Sequence, residues 1–153
     1  MKIKKIIKYF FEFFFIFIFF LIFKILGYKL ASNLGAKISG LFGPLFRPKK
    51  RILLNIIKSL KDVNENEAKN ILNKMWSNYG RILSDYVFMK NFRNSNLNTF
   101  LTVEGLEILN KIKKTNKPVI FISGHFNNFE LMAMQIEKSG IDIAAIYRPL
   151  NNI

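Results

Sequence analysis

The chain has one histidine, His125, and it stands in the run Gly124-His125-Phe126-Asn127-Asn128-Phe129-Glu130. An imidazole titrates near neutral pH and is the side chain best suited to take and return a proton at a reacting oxygen. A carboxylate five positions on, Glu130, is placed to hold the second ring nitrogen and fix the tautomer. The pairing points to general-base chemistry. Its alternative is a packed, hydrogen-bonded core histidine with no catalytic part. Cysteine is absent, which excludes thiolate nucleophiles, disulfides and cysteine-bound zinc. A single histidine leaves no ordinary metal-ligand set, so neither a metal nor another cofactor is expected. There is no G-x-S-x-G elbow and no glycine-rich phosphate loop.

The elements that must position His125 follow from periodicity. The preceding run Val119-Ile120-Phe121-Ile122-Ser123 is β-branched and aromatic, as a buried strand would be. After it, Phe129, Met132, Ala133 and Ile136 recur at helical spacing. The histidine is therefore expected where a strand ends, with Glu130 in the first turn of the next helix. At the carboxyl end of a parallel strand ligands and catalytic groups gather. The wider pattern alternates in the same way. Strands are expected at 100–103, 119–123 and 143–147, with helices at 106–114 and 128–138 between them. That order predicts an α/β arrangement, the start of a mostly parallel sheet with covering helices and right-handed crossovers. Two or three strands are too few to bury both faces of such a sheet, so the sequence reads as incomplete.

Ahead of this region the chain is helical in pattern. Ile52, Leu53, Ile56, Ile57 and Leu60 trace one face, and Asn64 with Glu65 and Glu67 forms a helix start. Ala68, Ile71, Leu72, Met75, Tyr79, Ile82, Leu83, Tyr86 and Val87 then keep a 3.6-residue rhythm to about Met89. Trp76 and Tyr79 read as core or membrane-interface packing. Residues 91–98 form a polar break.

The N-terminus is of another kind. Residues 9–26 are almost entirely Phe, Ile and Leu, broken by Glu12 and Lys24. Counted from Ile6, the stretch reaches the ~20 residues a membrane-spanning helix needs. Lys8 and Glu12, one turn apart, are placed to pair. A cleavable signal peptide is the competing reading. Against it stand the length of the aromatic core and the lack of a small-x-small cleavage site close behind. Residues 1–60 hold twelve Lys or Arg and one acid, whereas residues 61–153 hold twelve against nine, within an overall charge of +14. Basic charge concentrated around the apolar segment favours an anionic membrane surface over nucleic acid, for which no recognition motif is present. The cluster Arg47, Lys49, Lys50 and Arg51 is expected near lipid head groups, or else in a solvated loop. It favours keeping the bulk of the chain cytoplasmic. Three segments result: an anchor at 1–27, a helical segment at 28–98, and the beginning of an incomplete α/β domain at 99–153.

Taken together, Val103-Glu104-Gly105-Leu106-Glu107, the stretch from Lys117 to Glu130, and Ile146-Tyr147-Arg148-Pro149-Leu150-Asn151-Asn152 resemble one family. It is the late acyltransferases of lipid A biosynthesis, the lauroyl/myristoyl transferases of Gram-negative bacteria. They carry an H-x-x-x-x-D/E motif and an N-terminal anchor at the inner membrane. The resemblance implies transfer of an acyl chain from an acyl carrier protein thioester to a hydroxyl of a lipid A precursor. His125 would be the base and Glu130 its orienting carboxylate. Asn127 and Asn128 would start the helix whose free N–H groups steady an oxyanion or phosphate. Arg148 would pair with a phosphate, or else brace its loop. Members of the family are considerably longer and place further functional residues beyond the last residue here, so the 153 residues alone are expected to be inactive. Two other readings remain open: a glycerophospholipid acyltransferase, which usually carries aspartate where Glu130 stands, and a membrane-anchored fragment without catalysis.

Overall fold

The computed structural model describes residues 2–94, 96, 98–115 and 117–146. Among them are seven α-helices: α1 (Lys2–Leu26), α2 (Tyr28–Phe46), α3 (Lys49–Ser59), α4 (Glu65–Val87), α5 (Met89–Arg93), α6 (Leu106–Thr115) and α7 (Phe129–Lys138). A 3-10 turn lies at Asn98–Phe100. They fall into two compact units, residues 1–88 and 89–153.

The first unit is organised by α2 and α4, which pack antiparallel. Small residues on α2, among them Ala31, Ser32, Gly35, Ala36 and Gly43, are buried against α4. On α4, Ala68, Leu72, Trp76, Gly80 and Ser84 recur every fourth residue and face inward. The closest approach is glycine on glycine: a methyl group built on either Gly35 or Gly80 would fall into the other's backbone carbonyl. One step along, Gly43 leaves the space that the Trp76 ring fills. Polar bonds fix the register. Tyr28 Oη donates to Asp85 Oδ1 at 3.1 Å, and Arg81 Nη1 donates to Ser32 Oγ at 3.2 Å and Asn33 Oδ1 at 3.1 Å. Burial is the main reason the Tyr28 hydroxyl is pushed up to about 12, with the Asp85 carboxylate adding to it. Helix α4 begins as its sequence predicts. Asn64 Oδ1 accepts from the Glu67 N–H at 3.0 Å and Glu67 Oε2 accepts from the Asn64 N–H at 2.9 Å, a reciprocal capping box.

Helix α1 turns into α2 at Gly27, whose φ of 74° lies in the left-handed region where glycine is at ease. Residues Ile3–Leu26 are long and apolar enough to cross a membrane, with a mean hydropathy of 2.4. Only 6% of that window is buried among the described residues, and a signal sequence shares its character. Near its end Phe23 is buried, 1% exposed. Lys24 Nζ lies 5.6 Å from the centre of the Phe88 ring. Lys8 and Glu12 pair at 3.6 Å, as their spacing predicts.

In the second unit the expected α/β architecture is corrected. The described residues contain no strand, and every regular element is helical. Residues 101–105, 117–126 and 141–146 run without regular structure, and no backbone ladder joins them. A strand exists only where a second backbone lies alongside to take its N–H and C=O groups. Alternating apolar residues announce a surface suited to a sheet without supplying that neighbour. The consequence is visible at Ile120 and Ile122, which are 87% and 92% exposed. The stretch read as a polar break also begins with a helical turn, α5, instead of a loop.

Candidate active site

His125 stands near the end of the irregular segment 117–126, three residues before the helix N-cap. The chain turns there through Asn127, which adopts a positive φ of 49°, a conformation asparagine tolerates better than most residues. Gly124 leaves the volume that the Phe126 ring occupies, since a methyl group there would strike it. Asn128 takes the N-cap position of α7. Its side chain is 8% exposed and makes no capping bond to the helix, while its carbonyl accepts from the Leu131 N–H at 3.2 Å. Glu130 lies in the first turn, where the helix dipole favours an acid.

The imidazole is exposed. Its ring meets Phe129 edge to face, with centroids 4.6 Å apart and planes at 76°. The buried strand end expected from the sequence is therefore an open turn, and the ring is held by an aromatic neighbour. Glu130 is also exposed. Ion pairs join Lys8 to Glu12, Lys69 to Glu65 and Arg93 to Glu137, and none of these joins His125 to Glu130. Histidine, glutamate and both asparagines thus share one turn of six residues. Arg148 lies outside the described residues, as does the last expected strand beyond Ile146.

Helix α7 is held by residues that the sequence pattern did not single out. Arg93 on α5 donates to Glu137 through Nη2 at 2.8 Å and places Nη1 2.5 Å from its other oxygen. This ion pair holds the Glu137 carboxyl below its usual range, chiefly through the hydrogen bond. Lys138 Nζ reaches the carbonyl of Phe92 at 3.5 Å, and Phe92 is almost fully buried. From α6, Lys113 Nζ donates to the Ser139 carbonyl at 3.2 Å. These contacts secure the far end of α7 and leave its first turn open. A basic residue beside a helix and an acid in a distant one was the available signal, but without a fold their partnership was unreadable.

An apolar N-terminal helix, a close-packed helix pair and one open imidazole ahead of a short helix define a helical protein compatible with membrane association. The sequence adds the identity of the family. Residues 2–153 match the model of the bacterial lipid A biosynthesis acyltransferases, and the chain belongs to that family. No curated protein and no solved structure matches it. Membership supports acyl transfer within lipid A biosynthesis.

Proposed function

We propose that the protein transfers a fatty acyl chain from an acyl carrier protein thioester to a hydroxyl of a lipid A precursor, with His125 as general base. The observation that supports this most is the open position of the chain's one histidine, ahead of α7, in a member of a lipid A acyltransferase family. In this reading a ring nitrogen of His125 takes the hydroxyl proton while the oxygen bonds to the thioester carbon. The carbon–sulfur bond then breaks, and the imidazolium returns the proton to the departing thiolate. Glu130 accepts from the other ring nitrogen and stabilises the imidazolium. Hydrogen bonds of this kind commonly tighten only when substrate is present. Asn127, Asn128 and Arg148 bind the oxyanion or phosphate groups of the substrates. Residues 1–27 anchor the protein in the inner membrane, residues 28–98 form a helical segment and residues 99–153 carry the chemistry on the cytoplasmic side.

Membranes from cells expressing the protein from its own gene, supplied with acyl carrier protein thioester and a lipid A precursor, test this by product mass. His125→Ala should lower transfer by ~10²–10⁴-fold, while both forms stay with the membrane after alkaline carbonate washing. Undiminished transfer overturns the role of His125. Acylation of a glycerophospholipid in place of the precursor replaces the substrate.

A further inference from the structure

The first unit contains a cleft of about 450 Å³ between α1, α2 and α4. Phe15 and Phe19 of α1, Phe42 and Phe46 of α2, and Trp76 and Leu83 of α4 form its walls, which are almost wholly apolar. Its volume falls in the ~300–1,000 Å³ range of sites for small molecules. Two features together indicate its occupant. One wall belongs to the helix read as crossing the bilayer, which places the cleft beside hydrocarbon. Next, Phe46, 80% exposed, is followed directly by Arg47, Lys49, Lys50 and Arg51.

We infer that the cleft is a site for an anionic bilayer phospholipid, one acyl chain lying between the anchor and the helix pair. The head group rests on the basic cluster after Phe46. A neutral lipid leaves the basic half of the site unused. This site holds the anchor against α2 and α4 and is separate from the chemistry proposed for His125, on which it does not rest.

Trp76 is the sole tryptophan of the chain, so its fluorescence reports on the cleft directly. The full chain is reconstituted in bilayers of unbrominated phosphatidylcholine containing increasing fractions of phosphatidylglycerol or phosphatidylcholine with brominated chains. Brominated phosphatidylglycerol should quench Trp76 at lower mole fraction than brominated phosphatidylcholine. Changing Arg47, Lys49, Lys50 and Arg51 to Gln should erase that preference, by roughly five-fold in apparent affinity for each cation that contacts the head group. Ile38→Phe with Leu83→Phe, both on the cleft wall, should reduce quenching by either lipid. The surface Gln variant keeps the test decisive if the filled variant does not fold. Equal quenching by the two lipids in the wild type, or a preference that survives the Gln changes, overturns the inference. Quenching relieved by raising protein density at fixed lipid composition assigns the cleft to a second copy and also overturns it.

Discussion

The α2–α4 pair and the segment around His125 draw on similar residues and reach opposite results. In the pair, small side chains at four-residue intervals bring two backbones together until Gly35 and Gly80 touch, and Trp76 closes over Gly43. Around His125, a denser run of apolar residues remains open, with Ile120 and Ile122 turned outward. Helices complete their backbone hydrogen bonds internally and need a partner only for their faces. Extended segments need a partner for the backbone itself. Local pattern is therefore enough to build the first region and not the second.

The largest test of this contrast is Gly80→Leu. The new side chain must enter the Gly35 carbonyl, and overpacking of this kind is expected to cost about 3 kcal/mol. Thermal unfolding followed by helical circular dichroism in detergent should show it, and an unchanged midpoint would mean the two helices do not meet at these glycines. Tyr28→Phe is expected to cost about 1 kcal/mol, the worth of one hydrogen bond. It carries a pH signature as well. The hydroxyl is raised from 10.0 to about 12 in the fold, so its contribution is complete below pH 10 and is lost between about 10 and 12. The phenylalanine variant should flatten that part of the stability curve.

Arg93→Gln should have the smallest effect, because the Arg93–Glu137 pair is solvent-exposed and such pairs contribute little. Its expected signature is faster amide exchange in α7 with global stability unchanged. Glu137 is held below its usual range, so the wild-type contribution is present above the ordinary carboxylate pKa and fades as pH falls through the lowered value. The variant should show no such acid-side change.

What could be read from the sequence divides along the same line. Asn64, Glu65 and Glu67 announced the start of α4 because a capping box is local. The apolar N-terminus announced α1 because length and composition suffice. Glu130 was correctly placed in the first turn of a helix, whereas His125, expected at a buried strand end, lies in an open turn. The strands expected at 100–103 and 119–123 were not found, because pairing is not written into either segment alone. The Arg93–Glu137 bridge was invisible for a related reason. Its partners lie 44 positions apart, and only packing brings them together.

The measurement closest to the central claim is the mass of lipid A from cells in which the gene's own copy carries His125→Ala. Loss of one acyl chain from lipid A, with the variant still present in the membrane fraction, is the predicted result. Lipid A of unchanged mass in cells whose only copy is the variant would show that His125 is not the base.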